Sequence, residues 1–319
     1  MALDGKAVDT SSAKETILAF AREMRAARRS KERSNLFGYL FIAPALVLFL
    51  VFNIWPIIRG LAMAFTDYRF IYPDTLWDFN GLANYQEMIQ DKVFWDAMWV
   101  STRYTLMVVP SILIISLLLA ALISRVRHLA GFYRWVVYLP TILPIAVTLL
   151  LWNEFYNNKF GFINVNLRHL GVKRPPDWLG QVKTALPSVA VTDIWRGFGF
   201  PTLLFLIGIY NINPELYEAA AIDGATRWHQ FTRITLPLLR PTFMLVLVLY
   251  SGIAGATEQM MILTNGGPQN STRTIGLYYY QVAFQFGDLR LGYASAMALV
   301  LGIISAVMAA FWFRVLRER

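Results

Sequence analysis

The sequence contains no cysteine, and it has only three histidines in 319 residues. Without cysteine the chain can form no disulfide, thiolate nucleophile or cysteine metal site. The histidines, His128, His169 and His229, lie far apart and match no metal-ligand spacing. The phosphate-binding motif GxxxxGK[ST] and the catalytic motifs HExxH and GxSxG are also absent. The sequence therefore gives no support to an enzymatic function or to ATP binding through such a loop.

Charged residues are also scarce, at 15%, and the mean hydropathy is +0.46. Soluble domains carry about 25% charged residues. Runs without any charge cover residues 34–58, 104–124, 135–153 and 291–313. A membrane span needs about 20 mainly apolar residues. Two weaker runs cover 185–209, with Asp193 and Arg196, and 242–264, with Glu258. The pattern predicts an all-α membrane protein with six transmembrane helices.

The net charge is +9, and the distribution of the basic residues along the chain fits the topology of such a protein. Lys and Arg cluster in residues 1–37, 125–134, 227–240 and 314–319, which lie on one side if both termini are cytoplasmic. The basic loop 157–184 departs from this rule. The first apolar run starts at residue 34 without a cleavage site and is interpreted as a retained span. Residues 13–33 have the pattern of a basic amphipathic helix, which favours contact with anionic membrane lipid over binding to a partner protein. Nucleic acid is not an expected partner.

Several predicted spans contain helix-breaking residues. The third contains Pro140 and Pro144, and the fourth contains Gly197, Gly199 and Pro201. Proline removes a backbone donor and bends a helix. Inside a membrane such breaks persist only where neighbouring helices or a water-filled path satisfy the freed backbone groups. The spans therefore indicate a moving bundle with a pathway.

Residues 218–241, EAAAIDGATRWHQFTRITLPLLRP, are too polar for a span but have strong helix signals. The helix begins upstream at Asn213, a good N-cap, which Pro214 and an acidic residue follow. Gly224 suits the left-handed position that ends a helix. Thr226 can cap a second helix from Arg227 to Ile234, and Pro237 would end that helix or begin the next span. These signals support a docking surface and a simple connector equally.

The same residues carry a family pattern. A glycine stands six residues after the glutamate of an EAA triplet, and Ile-x-Leu-Pro begins ten residues after the glycine. This spacing resembles the signature loop of ABC importer permeases. Further stretches, among them YRWVVYLPTILPIAVTLLLW and TEQMMILTNGGP, resemble the carbohydrate branch with the maltose, trehalose and glycerol-phosphate permeases. The loop residues that the resemblance assigns to ATPase coupling are Glu218, Ala219, Ala220, Asp223, Gly224, Ile234, Leu236 and Pro237.

The resemblance implies the type I importer permease fold in a bacterial plasma (inner) membrane. It implies a basic tail at 1–36, a first helix and outer loop at 37–96, and a core at 97–316 with the coupling loop at about 211–241. The expected partners are a second homologous permease subunit in a heterodimer, two ATPase subunits and an extracytoplasmic sugar-binding protein. The chain itself would bind no cofactor, since ATP and Mg belong to the ATPase subunits.

The expected solute is a sugar, in particular a disaccharide or oligosaccharide. A glycerol phosphate or a polyol is the alternative within the family, and a stand-alone secondary transporter is the alternative outside it. Ionisable, amide and aromatic groups in or beside spans are candidates for the solute path. They are Trp195, Arg196, Tyr250, Glu258, Gln259 and Asn265. The competing interpretation for the charged residues is an Asp193–Arg196 pair within one helix, or an interior salt bridge to Glu258.

Overall fold

The computed structural model describes residues 39–72, 78–126, 128–250, 252 and 257–316. Within these ranges, β structure is limited to two isolated antiparallel bridges, so the all-α prediction is confirmed. The basic helix predicted at 13–33 lies outside the described residues. The helices, numbered in chain order, are α1 (Tyr39–Met63), α2 (Ala83–Gln90), α3 (Lys92–Ile123), α4 (Ala130–Ile142), α5 (Ile145–Phe155), α6 (Phe162–His169), α7 (Val182–Gly197), α8 (Gly199–Tyr210), α9 (Pro214–Ile222), α10 (Arg227–Leu238), α11 (Arg240–Tyr250), α12 (Thr257–Leu263), α13 (Ile275–Phe284) and α14 (Leu291–Leu316).

Three helices, α1, α3 and α14, are each long and apolar enough to cross a membrane. Three pairs of shorter helices are also long and apolar enough when the two helices of each pair are taken together, although each pair is bent. The pairs are α4 with α5, α7 with α8, and α10 with α11. The described residues thus contain up to six spans, when each bent pair counts as one, in agreement with the predicted six. The chain divides into two compact units between Gly60 and Leu61, and all features below lie in the second unit. The predicted domain boundaries after residues 36 and 96 stay predictions.

The third predicted span is broken at Pro144. Helices α4 and α5 have 13 and 11 residues and meet at 92°. Since a residue rises about 1.5 Å, neither helix alone crosses a hydrocarbon core of about 30 Å. Leu143, directly before Pro144, is extended, as expected for a residue that precedes proline. Pro140 lies inside α4 and does not end it.

The fourth span bends by 44° at Phe198, between two glycines. A β-carbon at Gly199 would lie 2.6 Å from the carbonyl oxygen of Val137 in α4, so only glycine permits this close approach. The sequence predicted a break at these glycines, and the structure confirms it. Pro201 lies within the first turn of α8, where a proline costs no helical hydrogen bond.

Three successive backbone carbonyls at this bend accept hydrogen bonds from hydroxyl groups of three other helices. The carbonyl of Arg196 accepts from Thr141 of α4 at 2.9 Å. The carbonyl of Gly197 accepts from Tyr250 of α11 at 2.9 Å. The carbonyl of Phe198 accepts from Ser116 of α3, also at 2.9 Å. Side chains of neighbouring helices thus satisfy the backbone groups that the bend exposes, which a break at membrane depth requires.

The boundaries predicted for the fifth span are wrong. Residues 242–264 do not form one helix, because α11 ends at Tyr250, Gly252 is not helical and α12 begins at Thr257. Instead α11 pairs with α10 across a 62° bend at Leu239. The sequence 251–256, SGIAGA, contains two glycines, and each disfavours a helix by about 1 kcal/mol relative to alanine.

Helix α3, with 32 residues, contributes to all three clusters of buried apolar side chains. Phe94 near its start packs in a cluster with residues of α13 and α14. Tyr104 and Ile112 pack with residues of α5, α7 and α12. Ile123 at its end packs with residues of α8 and α11. The bundle is therefore organised around α3.

The start of α3 is held by Asp91, which caps the helix by accepting from the Val93 N–H at 2.8 Å. The hydroxyls of Tyr278 and Tyr293 also donate to Asp91, at 2.6 and 2.8 Å. Burial alone would raise the pKa of the Asp91 carboxyl, but these hydrogen bonds and those from the backbone outweigh burial and lower it. The ionised carboxylate thus joins α3 to α13 and α14.

Candidate functional site

A cavity of about 300 Å³ lies among α3, α4, α7, α11 and α12. Helix α3 contributes three apolar side chains and two polar ones, and the other helices contribute the remaining polar side chains. This volume is at the lower end of the range for small-molecule sites, about 300–1,000 Å³. Its polar lining side chains are Tyr104, Thr105, Thr141, Asp193, Arg196, Tyr250 and Gln259.

Asp193 is held in the cavity by two neutral donors. The Tyr104 hydroxyl donates to its Oδ2 at 2.8 Å, and the Gln259 Nε2 donates to its Oδ1 at 2.8 Å. Tyr104 is 3% exposed and Gln259 is 7% exposed, so both donors are buried, whereas Asp193 is half-buried. Among the described residues, no ion pair joins Asp193 to Arg196. The pair expected within α7 is therefore not formed.

Arg196 lines the same cavity and is half-buried. Its Nε is buried without a hydrogen-bond partner. An unpartnered buried donor costs about 1–3 kcal/mol. The guanidinium group thus remains available to an acceptor that enters the cavity.

Two further candidates for the solute path, Tyr250 and Gln259, also line the cavity, whereas Trp195 does not. The Trp195 ring packs against Trp152 in a T-shaped arrangement, with centroids 5.8 Å apart. This contact belongs to an aromatic cluster that continues through Tyr156 to Trp178. Trp195 therefore supports the packing of α7 on α5.

Glu258 and Asn265 are exposed and do not line the cavity. The expected interior salt bridge to Glu258 is not formed, because its side chain lies on the outside of α12. Asn265 has a φ of 47° in a tight turn, where its residue type suits the left-handed conformation. The turn predicted at Asn265-Gly266-Gly267-Pro268 is confirmed.

The sequence interpretation did not assign a role to Tyr104 or Thr141. Tyr104 stood only as the first residue of a charge-free run, and Thr141 as part of the LPTILP stretch. Each supplies a hydroxyl to a polar group of α7 from a distant part of the chain. A hydroxyl inside an apolar helix needs a hydrogen-bond partner, and this requirement was the signal in the sequence that could have identified these two residues.

The second candidate region, the capped segment, is residues 213–238. The Asn213 Oδ1 accepts from the Glu215 N–H at 3.0 Å and starts α9, as predicted. Gly224 has a φ of 77°, and the Ala225 N–H donates to the Ala220 carbonyl at 2.8 Å to close the helix end. The Thr226 Oγ1 then accepts from the His229 N–H at 3.3 Å and starts α10. Local hydrogen bonds thus define both helices.

Helix α10 runs further than the sequence predicted. It continues from Arg227 through a π-helical stretch, Phe231–Thr235, and ends at Leu238. Pro237 does not end it, because this residue lies in the first turn of the final piece, Leu236–Leu238. The hydroxyls of Tyr217 and Thr235 lie 2.8 Å apart and join α9 to α10.

The motif residues of the capped segment divide by exposure. Ala220, Ile234 and Leu236 are half-buried. The exposed ones are Glu218, Ala219, Asp223, Gly224 and Pro237. Two large apolar side chains stand beside them, Ile222 at 87% and Trp228 at 70% exposure. Large exposed apolar groups next to polar ones are typical of a protein-binding surface.

The chain also resembles known proteins over most of its length. Residues 92–319 match the family model described as binding-protein-dependent transport system inner membrane component. The chain is 31% identical over 286 residues to the sulfoquinovosyl glycerol permease SmoG of Agrobacterium fabrum, covering 89% of this chain and 92% of that one. It is 32% identical over 277 residues to the trehalose/maltose permease MalF of Thermococcus litoralis, covering 86% and 92%.

A solved structure shows the same fold. The crystal structure of a bacterial alginate ABC transporter, in complex with an alginate pentasaccharide-bound periplasmic protein, matches with a TM-score of 0.76 and 27% identity. The match covers 89% of this chain and 95% of that chain. The chain therefore belongs to the family of inner membrane components of binding-protein-dependent transport systems, as an ABC transporter permease.

Proposed function

We propose that this chain is one of two homologous permease subunits of an ATP-driven importer that moves a sugar, in particular a disaccharide or oligosaccharide. Two ATPase subunits would bind ATP and Mg, and an extracytoplasmic binding protein would deliver the solute. The observation that carries the proposal is the capped segment, whose motif residues Glu218, Asp223 and Gly224 are exposed on a pair of helices that local hydrogen bonds cap. This segment would dock on an ATPase subunit.

A continuous piece of chain connects that surface to the cavity. Helix α10 leaves the capped segment and passes through the bend at Leu239 into α11, which ends at Tyr250. Tyr250 lines the cavity and donates to the Gly197 carbonyl at the bend of α7 and α8. A displacement of the capped segment would therefore reach the cavity wall through covalent structure. Such a link suits a protein that alternates between two states under the bias of ligands at both ends.

The proposal places the capped segment and both termini in the cytoplasm of a bacterium. Basic clusters flank the predicted spans at 125–134, 227–240 and 314–319, which supports this orientation. The cavity would then lie between the solute-binding side and the ATPase side. ATP-driven rearrangement would expose it to each side in turn.

A sugar fits the mixture of groups in the cavity. The Arg196 guanidinium can donate, and the Asp193 carboxylate and the Tyr250 Oη keep lone pairs that can accept. Sugar hydroxyls both donate and accept. The names of the relatives, trehalose/maltose and alginate among them, support a sugar. Because the Arg196 Nε has no partner, a phosphorylated or acidic sugar is the second candidate.

Reconstitution in proteoliposomes tests the proposal. The complete set would contain this chain, its partner permease, the ATPase and the binding protein, and uptake of radiolabelled di- and oligosaccharides would be measured with Mg-ATP. We expect uptake only when all parts are present. Uptake without the ATPase would overturn the proposal and favour a stand-alone secondary transporter. Competition by a neutral sugar and by its phosphate ester, in wild type and Arg196→Gln, distinguishes the two solute classes.

A further inference from the structure

A second and larger cavity, of about 560 Å³, lies beside the capped segment. The ends of α3 and α8 form one side, and residues of α9 and α10 form the other. It is separate from the cavity at Asp193, with which it shares no lining residue. Its volume is in the middle of the range for small-molecule sites and exceeds what a simple ion requires.

The charged side chains of this cavity have one sign. Arg125, just after α3, and Arg227, the first residue of α10, both line it and are both exposed. Its described lining includes no aspartate or glutamate. Within the described part of the chain, neither arginine forms an ion pair. Two guanidinium groups without an ion-pair partner therefore line the cavity, and no carboxylate stands among its described lining residues.

A neutral donor adds to these charges. The Tyr210 hydroxyl, at the end of α8, accepts a hydrogen bond from Arg134 at 2.9 Å. The Arg134 guanidinium also lies over the Tyr210 ring, 5.4 Å from its centroid. Because the hydroxyl oxygen is occupied as an acceptor, its own hydrogen is free to donate into the cavity. Arg125, Arg227 and the Tyr210 hydroxyl thus offer three donor groups to this space.

We propose that this cavity binds a phosphate-bearing anion between Arg125 and Arg227. Phosphate oxygens accept charge-assisted hydrogen bonds, and the guanidinium fork matches them in geometry. The group would come from a phosphorylated small molecule or from the headgroup of an anionic phospholipid. Its placement on the cytoplasmic side rests on the proposed function, but the binding itself does not.

Such an anion would also join two parts of the molecule. Arg125 follows α3, the helix that runs through all three buried clusters, and Arg227 belongs to the capped segment. An anion that contacts both arginines would favour the arrangement in which α10 lies close to α3. It would thereby change the equilibrium between the two states of the transporter by its difference in affinity for them.

The first experiment measures binding of inorganic phosphate and of a hexose phosphate to the purified transporter complex, by calorimetry at constant ionic strength. It needs neither ATP nor a transported sugar, so its result is independent of the uptake test. We expect Arg125→Gln and Arg227→Gln each to weaken binding about tenfold, and the double variant to abolish it. Arg233→Gln is the matched control, because Arg233 is exposed on α10 but does not line the cavity.

The second experiment distinguishes the sources. Native mass spectrometry would follow retention of phosphatidylglycerol, with phosphatidylcholine as the neutral comparison. Retention of phosphatidylglycerol that Arg125→Gln and Arg227→Gln remove, and Arg233→Gln does not, assigns a lipid headgroup. Binding of free phosphate or hexose phosphate with the same variant pattern assigns a soluble ligand. The proposal is overturned if no probe binds, or if Arg233→Gln weakens binding as much as the cavity variants do.

Discussion

The hydrogen bonds that stabilise the capped segment and those that stabilise the cavity at Asp193 differ greatly in the sequence separation of their partners. In the capped segment, Asn213 and Thr226 cap helices through partners 2 and 3 positions away. In the cavity, Tyr104 and Gln259 reach Asp193 across 89 and 66 positions. The caps of the first region depend only on residues within the segment, whereas the hydrogen bonds of the second depend on the relative positions of several helices. We therefore expect the surface that faces the proposed ATPase to be rigid, and the cavity that faces the proposed solute to change shape when the helices move.

The largest expected effect is that of Gly224→Asp on the capped segment. Gly224 has a φ of 77° in open space and lies among the exposed motif residues. Aspartate strains the left-handed conformation by about 1–2 kcal/mol and adds a charge to the proposed docking surface. We expect ATP-driven uptake to fall about 100-fold, toward the upper end of typical coupling energies, while the protein still inserts in the membrane. Proteoliposome uptake and the amount of inserted protein are the two measurements.

Gly171→Asp is the control for this variant. Gly171 has a φ of 92°, is also in open space, and lies after α6 away from the capped segment. The backbone strain is therefore similar, and we expect uptake to stay within about twofold of wild type. Wild-type uptake in Gly224→Asp would show that the capped segment does not transmit the ATPase cycle. Equal losses in both variants would assign the effect to strain alone.

A smaller effect, confined to the cavity, is expected from Tyr104→Phe. This change removes the hydroxyl that donates to Asp193 and leaves the carboxylate with one side-chain donor, Gln259. Loss of a hydrogen bond to a charged group costs about 1.5–3 kcal/mol, so we expect a lower unfolding temperature in detergent. Because the cavity changes, the KM for uptake should rise about tenfold. Co-purification with the ATPase should be unchanged, since the capped segment is intact.

Tyr156→Phe provides a matched comparison for the hydroxyl. Tyr156 is 4% exposed against 3% for Tyr104, and its hydroxyl donates to a neutral acceptor, the Ser188 carbonyl, at 2.8 Å. It does not line the cavity. We expect a loss of stability of about 1 kcal/mol and an unchanged KM. If both variants raise KM equally, the effect on uptake comes from general destabilisation, and the cavity loses its assignment as the solute site.

The same contrast in range explains what the sequence could predict. Asn213, Gly224 and Thr226 were identified from sequence because each cap depends on neighbours a few residues away. The three unbroken spans followed from length and hydropathy. The break at Phe198 followed from the glycines on either side of it. All of these properties are local, and short stretches of sequence determine them.

The failures concern residues whose partners are distant in the chain. The competing interpretation of the sequence paired Arg196 with Asp193 on the same helix face or formed a salt bridge to Glu258, but two uncharged side chains from other helices hold the Asp193 carboxylate instead. Glu258 was expected inside the bundle, yet α12 turns it outward. The two glycines in SGIAGA signalled only weakly that residues 242–264 would not form one helix. Which side chains pair across a bundle depends on how the helices pack, and local sequence patterns do not reveal this packing.

The smallest expected effect is that of Thr226→Ala, which tests whether the capped segment is rigid through local bonds alone. Without the Oγ1, the His229 N–H loses its acceptor, and a lost N-cap typically costs about 1 kcal/mol. We expect the amides at the start of α10 to exchange with solvent about fivefold faster, and uptake to fall by a similar factor. Thr226→Ser keeps the hydroxyl and should match wild type in both measurements. Faster exchange with full uptake would mean that the second helix can fray without loss of coupling. The rigid part of the surface would then be reduced to α9 and its cap at Gly224, and the contrast with the cavity would hold for that helix alone.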